Sequence, residues 1–228
     1  ISKDLKYIVL TSVDRDDLSD QGANHIALCI KSIKQKNPEM LVEVLIPDFR
    51  GEEKLIQTII DSKPDVIAHN IETIESLQKQ VRDLRAGYEQ SLFVLNYVKE
   101  KAPHIITKSS IMLGLGETED EVRETMLDLR KNNVDVVTLG QYLKPQNKYL
   151  KIFEYVHPNV FKRYEGYAKE AGFLYCASGP LVRSSYKAGE FFIKNVLNGR
   201  NSLENKKIIQ DQLNGVRNRS EFKIVIPA

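Results

Sequence analysis

Six short, nearly continuous apolar runs alternate with amphipathic segments along these 228 residues, and this alternation limits the possible folds more than any other feature. Such runs lack the polar–apolar alternation of a half-exposed strand, so they are typical of parallel strands covered on both faces. Repeated strand–helix units predict an α/β fold with a parallel sheet, either open or curled toward a barrel. The predicted strands are Tyr7–Ser12, Val42–Ile46, Val66–Asn70, Ser110–Gly114, Val136–Gly140 and Phe173–Ala177.

Between these runs, apolar residues recur at helical spacing. Thr118-x-x-Glu121 is a capping box that opens the fifth helix, and Gly172 occupies the position of a glycine that ends the last one. The predicted buried positions are Ile26, Cys29, Ile30 and Ile33 in the first helix, Leu55, Ile56, Ile59 and Ile60 in the second, Leu77, Val81 and Leu84 in the third, Tyr88, Leu92 and Leu95 in the fourth, Val122, Met126 and Leu129 in the fifth, and Phe161, Tyr164 and Ala168 in the last.

Composition excludes several classes of protein. A net charge of +2 gives no support to a nucleic-acid partner, and no apolar run reaches the roughly 18 residues of a membrane span. Two distant cysteines exclude a disulfide scaffold and predict a reducing compartment. The chain starts at Ile1 without a signal peptide, which we interpret as a natural N-terminal part removed or not included.

Polar residues follow five consecutive predicted strands, in the segments Thr11–Asp17, Pro47–Phe49, His69–Thr73, Gly114–Glu117 and Gly140–Tyr142. In parallel α/β folds, ligands bind where the carboxyl ends of the strands meet. Helix capping or turn formation explains any single strand end equally well. Five in succession favour a shared site.

The sequence lacks the common catalytic and nucleotide-binding motifs. Gly114-x-Gly116 has Glu119 where a dinucleotide fingerprint needs its third glycine. The four histidines show no metal-ligand spacing, and His69 is best interpreted as a core histidine with its hydrogen bonds satisfied. Cys29 and Cys176 are predicted to be packing residues.

The segment Ala177–Tyr186 directly follows the last strand. Arg183 places a permanent cation beside the hydroxyls of Ser184 and Ser185, which suits an anion or a carboxylate. On spacing alone, a helix N-terminus is favoured, with one of these serines capping a helix over Tyr186–Leu197.

A resemblance adds to this interpretation. Over about residues 5 to 198, the chain resembles the lipoyl synthase family through six motifs that occur in the family's order. The last of these motifs is the most specific. The motifs are Tyr7–Asp17, Pro47–Gly51, His69–Thr73, Lys108–Glu117, Leu139–Tyr142 and Ala177–Tyr186. The resemblance implies a partial (β/α)6 TIM-like barrel of the radical S-adenosylmethionine (SAM) type over residues 1–198, missing its first strand, and a polar C-terminal tail over residues 199–228.

The resemblance also implies a site and a reaction, the insertion of two sulfurs at C6 and C8 of a protein-bound N6-octanoyl-lysine. The cofactors would be SAM and two [4Fe–4S] clusters. The partners would be an electron donor and octanoylated lipoyl carrier domains, namely E2 subunits of 2-oxoacid dehydrogenases and the glycine cleavage H protein. Arg183 and Ser185 would both be catalytic residues. Ser185 would also be an oxygen ligand to the auxiliary cluster. The residues implied to line the SAM pocket are Thr11, Ser12, Asn70, Glu72, Gly114, Glu117 and Gln141.

The chain departs from the family's pattern in its cysteines. The family ligates its clusters with two N-terminal cysteine triplets, which this sequence lacks, so we expect the chain alone to be inactive. Two alternatives stay open: a catalytically dead relative that binds lipoyl carrier domains, and a cluster-independent barrel enzyme with Asp14, Glu72 and Glu117 as acid–base groups. The sequence of Lys187–Phe192 resembles that of the mitochondrial members of the family. It predicts a mitochondrial location, or a cytoplasmic one if the protein is bacterial.

Overall fold

The computed structural model describes residues 5–185, and these form one six-stranded parallel sheet with the strands in chain order. All six predicted strands exist, so the α/β fold of the partial-barrel type is confirmed. Within the described residues the first strand pairs only with the second and the last only with the fifth, so the sheet is not closed. The strands are β1 Tyr7–Thr11, β2 Leu41–Leu45, β3 Val66–Ala68, β4 Ile106–Leu113, β5 Val136–Gln141 and β6 Tyr175–Gly179.

Helices cover the outer face of the sheet, and the buried side chains between helices and strands form two hydrophobic clusters. The first cluster packs α1, α2 and α4 against β2 and β3, and the second packs α4, α5 and α6 against β4, β5 and β6. No helix among residues 5–185 is both long enough and apolar enough to cross a bilayer. The helices are α1 Ala23–Lys36, α2 Glu53–Ile60, α3 Gln78–Val81, α4 Tyr88–Lys101, α5 Glu119–Lys131 and α6 Pro158–Glu170, with 3₁₀ turns at Phe49–Gly51 and Glu75–Leu77.

The local helix signals are confirmed. The Thr118 hydroxyl accepts from the backbone N–H of Glu121 and the Glu121 carboxylate accepts from that of Thr118, which completes the capping box of α5. Gly172 follows α6 with φ +84°, the left-handed conformation that a helix-ending glycine adopts at little cost. The His157 ring accepts from the Asn159 N–H and caps α6, a role that the sequence analysis missed.

Four predicted helix positions are less buried than expected: Leu84 is exposed, and Cys29, Leu77 and Val81 are only half-buried. The third helix ends at Val81, and Leu84 is 82% exposed, because Asp83 accepts from the backbone N–H of Arg85 and bends the chain into a turn. Cys29 is only half-buried, since the inner face of α1 is formed by Ile26, Ala27, Ile30 and other residues of that stripe.

Strand β4 begins four residues earlier than predicted. Two polar residues near its start find hydrogen-bond partners outside the strand: the Thr107 hydroxyl donates to the Asn133 carbonyl at 3.3 Å, and the Ser109 hydroxyl accepts from the Ile71 N–H at 3.1 Å. A buried polar side chain with a hydrogen bond is tolerated in a strand, so an apolar pattern alone places this boundary too late.

A buried ion pair lies on the inner face of the sheet. Lys108 of β4 donates to Glu43 of β2 at 2.7 Å, both side chains are almost fully buried, and the Tyr7 hydroxyl also donates to Glu43. Removing one partner of such a pair leaves an uncompensated buried charge, so the pair ties β1, β2 and β4 into one inner surface. The predicted tail over residues 199–228 and the predicted helix over Tyr186–Leu197 lie outside the described residues.

Candidate functional site

A cleft of about 330 Å³ lies at the carboxyl ends of β1, β2 and β3, where the sequence places three of its polar strand ends. We call it the charged cleft, because carboxylates and guanidinium groups line it together. Its lining residues are Ser12, Asp14, Arg15, Asp16, Gln21, Leu45, Ile46, Pro47, Asp48, Arg50, His69, Asn70, Glu72, Arg82, Asp83, Arg85 and Ala86. Three of the predicted SAM-pocket residues therefore meet here: Ser12, Asn70 and Glu72.

Glu72 is held in an unusual backbone conformation at the floor of the charged cleft. Its φ is +67°, which costs a residue with a side chain on the order of 1–3 kcal/mol. Its N–H donates to the Ser110 carbonyl at 3.0 Å and its carbonyl accepts from Met112 at 2.8 Å, so two bonds to β4 hold the strained residue in place. Burial raises the pKa of the Glu72 carboxyl, while a 3.1 Å hydrogen bond from the Asn70 side-chain amide opposes that shift.

Arg82 is a cleft residue that the sequence analysis missed. It follows the short helix α3, and burial lowers the pKa of its guanidinium while Glu72, Asp48 and Asp14 act in the opposite direction. Its Nη1 donates to the Ser91 hydroxyl at 2.8 Å. The apolar spacing predicted a third helix that continues past Arg82, so nothing in the sequence marked Arg82 as a site residue. In the structure α3 ends at Val81, and this brings the Arg82 guanidinium to the cleft.

A chain of hydrogen bonds continues from Arg82 into the core. The Ser91 hydroxyl lies 3.0 Å from Nε2 of His69, whose Nδ1 lies 3.0 Å from the Ile46 carbonyl oxygen. A carbonyl only accepts, so Nδ1 carries the proton and Nε2 accepts from Ser91. Desolvation lowers the pKa of His69 to about 4, which keeps the ring neutral. The prediction of a satisfied core histidine is confirmed, and the neutral ring now has a role in orienting Arg82.

Exposed ion pairs join the loops around the charged cleft. Asp16, from the loop after β1, accepts from Arg50 at 3.1 Å and from Arg85 at 2.6 Å. Pairs this exposed contribute about 1 kcal/mol or less each to stability. Their effect is to hold the segments after β1, β2 and α3 at one rim.

The remaining predicted residues gather at the carboxyl ends of β4, β5 and β6. We call Gly114, Glu117, Gln141 and Arg183 the β4–β6 group. The Glu117 carboxylate accepts from the backbone N–H groups of Gly114 and Leu115 at 2.5 and 2.9 Å, so it organises its own turn. Gly114 has φ +95°, and a Cβ there would overlap Gln141 and the Glu154 carbonyl.

The side chains of Gln141 and Arg183 also form hydrogen bonds with backbone atoms of the protein. The Gln141 amide donates to the Glu154 carbonyl at 3.0 Å and accepts from the Val156 N–H at 2.9 Å. Arg183 donates to the Val182 carbonyl at 2.7 Å. Ser185 is exposed at the end of the described chain, and Thr11 is exposed at the end of β1 without lining the charged cleft.

The described residues do not provide an iron–sulfur site. Among residues 5–185, no three histidine, cysteine or acidic side chains group in a geometry that holds a metal ion. Cys29 lies on α1 at 3.7 Å from a His25 nitrogen. Cys176 packs in the second hydrophobic cluster, where burial raises its pKa to about 12 and disfavours the thiolate that iron requires. The cysteines present therefore do not fit a [4Fe–4S] cluster.

Comparison with known proteins shows the family of the chain. Residues 1–129 match the family model of the radical SAM superfamily. The chain is 58% identical over 218 residues to the lipoyl synthase of Halobacterium salinarum, covering 95% of this chain and 68% of that protein. It is 59% identical over 196 residues to the mitochondrial lipoyl synthase of Schizosaccharomyces pombe, covering 86% of this chain, and 58% identical over 201 residues to that of Drosophila melanogaster, covering 88%.

These relatives are longer than the chain. It spans about two thirds of the archaeal protein and 53% of each of the two mitochondrial ones. Identity near 58% over almost the whole chain is far above the level at which unrelated barrels resemble one another. The chain belongs to the lipoyl synthase family of the radical SAM superfamily.

Proposed function

We propose that this chain forms the SAM-binding and substrate-positioning part of a lipoyl synthase, which inserts two sulfurs at C6 and C8 of an octanoyl chain on a carrier lysine. One observation supports this most: Glu72 and Arg82, of opposite charge, line the same cleft beside the Asn70 amide, at the end of the sheet where such folds bind ligands.

The charged cleft matches the chemical groups of SAM. Its methionine end carries a carboxylate and an ammonium group, next to a cationic sulfonium. Arg82 is suited to the carboxylate because its planar guanidinium makes paired hydrogen bonds, and Glu72 is suited to the ammonium. Asn70 holds the Glu72 carboxylate and offers its amide oxygen as an acceptor. Desolvation makes each of these contacts stronger than it would be in water.

When bound and reduced by one electron that comes from the proposed electron donor, SAM would supply a radical able to remove hydrogen from unactivated carbon. The residues of this chain would bind SAM, orient it and limit the access of water. The bonds from Glu72 to β4 fix the floor, and Ser91 with His69 fixes Arg82 from below. We derive no step through the iron–sulfur clusters, since the cysteines of this chain do not fit them.

We assign the other predicted residues as follows. Ser12 and Thr11 extend the cofactor wall along β1, and Gly114, Glu117 and Gln141 form the opposite wall as a rigid turn. Arg183 lies beside this wall, in contact with the backbone oxygen of Gln141 at 3.5 Å, and would bind an anionic group near the substrate. Ser185 is exposed, which leaves its hydroxyl accessible for the proposed role as a cluster ligand.

The proposed substrates are octanoylated lipoyl carrier domains, with E2 subunits and the H protein as the two types, together with an electron donor. We propose a mitochondrial location. An archaeal relative at 58% identity matches as well as the mitochondrial ones, so location needs its own experiment. Imaging of a C-terminally tagged product of the whole gene against a mitochondrial marker is the direct test, and cytoplasmic signal contradicts the proposal.

Calorimetric titration of the 228-residue chain with SAM tests the cofactor site. We expect saturable binding to the wild-type chain, and at least tenfold weaker binding to Arg82→Gln and to Glu72→Gln, because a hydrogen bond to a charged group contributes about 1.5–3 kcal/mol. Arg163→Gln is the matched control, since Arg163 forms an exposed ion pair with Glu119 far along the chain from the cleft. Equal affinities in all four proteins, or no binding to the wild-type chain, contradict the proposal.

The structure disfavours the alternative of a cluster-independent acid–base enzyme. Asp14 and Glu72 line the charged cleft, whereas Glu117 belongs to the β4–β6 group and binds its own backbone. The three carboxylates therefore do not form one constellation. The second candidate is a carrier-binding relative without catalysis, and the exposed apolar side chains between β5 and α6 are the observation in its favour.

A further inference from the structure

The connection between β5 and α6 exposes more large apolar surface than any other part of the described chain. We call residues 143–155 the strap. Of the twelve large apolar side chains that are exposed within residues 5–185, five lie in this one segment. Phe153 and Tyr155 are 75% and 74% exposed. Surface patches of this kind mark interaction sites more often than chance.

The strap is nevertheless firmly attached through its backbone. The Tyr142 hydroxyl donates to the Leu150 carbonyl at 3.0 Å, and the Phe153 N–H donates to the Gly114 carbonyl at 2.9 Å. Gln141 binds the backbone on both sides of Tyr155. These anchors use backbone atoms and the inner side of the segment. The apolar side chains are therefore not needed to hold the strap, and their exposure requires another explanation.

The strap lies at the carboxyl edge of the sheet. Its anchors are Gly114 and Gln141, which stand at the ends of β4 and β5, and the Phe153 ring lies over Gly116 at 3.6 Å from where a Cβ would be. Leu181, which is 80% exposed, follows β6 at the same edge. A partner protein that docks on the strap therefore lies at the carboxyl edge of the sheet, where folds of this type bind their ligands.

The strap is also locally basic. It contains Lys144, Lys148 and Lys151 and a single acidic residue, Glu154, so its formal charge is +2. The whole chain has the same net charge in 228 residues, which means that the strap concentrates positive charge that the rest of the chain balances. Apolar side chains interleaved with lysines fit a partner surface that combines acidic and apolar groups.

We propose that the strap docks a lipoyl carrier domain through a carrier surface that combines acidic and apolar groups, and so brings the octanoyl-lysine arm to the carboxyl edge of the sheet. This inference rests on the proposed function. A protein-bound acyl chain reaches the site only if its carrier sits at this rim, and the strap is the exposed apolar segment there. A membrane also attracts lysines and aromatic side chains, yet it would not deliver a lysine arm.

Binding of octanoylated H protein to the 228-residue chain, measured by biolayer interferometry, tests the proposal. The strap variant is Lys148→Glu/Lys151→Glu/Tyr155→Ser. Within residues 5–185 these side chains form no hydrogen bond or ion pair, and Lys148 only lies over the ring of Tyr149 in the strap itself, 5.2 Å from its centroid. The control variant, Leu28→Ser/Lys31→Glu/Lys36→Glu, likewise reverses two lysines and replaces one exposed large apolar side chain by serine, on the outer side of α1. We expect at least tenfold weaker binding for the strap variant, less than twofold change for the control, and weaker wild-type binding as salt increases.

Other outcomes overturn the proposal. These are unchanged H-protein binding by the strap variant, no H-protein binding by the wild-type chain, or strap-dependent sedimentation with phosphatidylserine vesicles in place of H-protein binding. Titration with SAM on the same samples separates this inference from the proposed function. If the strap variant binds SAM as the wild-type chain does while H-protein binding fails to respond, the docking surface is wrong and the cofactor site stands.

Discussion

The charged cleft and the β4–β6 group lie at the same edge of one sheet, yet they treat their polar side chains in opposite ways. In the β4–β6 group, the side chains of Glu117 and Gln141 are hydrogen-bonded to backbone atoms of their own loops. In the charged cleft, Glu72 and Arg82 are hydrogen-bonded to neighbouring side chains and line a cavity. The polar side chains of the β4–β6 group fix the local backbone, whereas those of the charged cleft face a cavity that can bind a ligand.

This difference shows that a polar residue after a strand is not by itself a ligand contact. A carboxylate that accepts two backbone N–H groups has about half of its roughly four acceptor sites occupied by its own turn, whereas a carboxylate whose pKa is raised by burial is stabilised by an incoming cation. Glu117 and Glu72 represent these two cases. The following experiments test whether the two regions differ as described.

Gly114→Ala should have the largest effect. The alanine would adopt φ +95°, and its Cβ would overlap the Gln141 amide and the Glu154 carbonyl. Backbone strain and overpacking together predict a loss of about 4 kcal/mol of unfolding free energy, measured by urea denaturation. Gly166→Ala is the matched control, because this glycine lies inside α6 with open space around it and should gain about 0.5–1 kcal/mol. Equal stability of Gly114→Ala and wild type would mean that the β4–β6 group is not rigid.

Acid should weaken the charged cleft through His69. The pKa of this ring is about 4 in the folded protein and 6.5 ordinarily, so the unfolded chain binds the proton first as the pH falls. The stabilisation is complete above pH 6.5 and is lost between about pH 6.5 and pH 4, to a total of about 3 kcal/mol. Unfolding free energies of wild type and His69→Gln across this range give the measurement. The variant should show the shallower slope, since carboxylates titrate alike in both proteins; parallel curves would exclude the proposed role.

Ser91→Ala should affect both stability and binding. It removes the hydroxyl between Arg82 and His69, and the loss of these buried hydrogen bonds costs about 1–3 kcal/mol. Ser178→Ala is the control from the other region, because its hydroxyl donates to the Phe161 carbonyl at 2.7 Å. Both variants should be less stable, but only Ser91→Ala should weaken SAM binding, by a few-fold. A similar loss of affinity in both would indicate general destabilisation.

The sequence predicted local features well and long-range ones poorly. The capping box at Thr118 and the six strands depend on neighbouring residues, so their patterns are visible in the chain itself. Arg82 reaches the cleft only because a turn at Asp83 ends α3, and the strap is ordered by bonds from Gly114 and Gln141. The strap depends on contacts between segments distant in sequence, whereas the turn at Asp83 is local and was overlooked because Leu77, Val81 and Leu84 have helical spacing. The predicted site residues lie in two groups because one set follows β1 to β3 and the other follows β4 to β6, and the arrangement of the loops after these strands is not visible in any single strand.

Glu72→Gln should produce the smallest change in stability, and in the favourable direction. Burial raises the pKa of this carboxyl, so the stability that it contributes is present below its ordinary pKa of 4.5 and decreases as the pH rises through the folded value. Glutamine keeps an oxygen for the Asn70 amide and removes the buried charge. We expect a gain of less than about 1 kcal/mol at pH 7, because the site is partly open to water, and no gain at pH 4. Thermal denaturation at the two pH values measures this difference. Destabilisation at pH 7 would show that the Glu72 charge is already compensated within the protein, which would place it with Glu117 rather than in a site that awaits a cation.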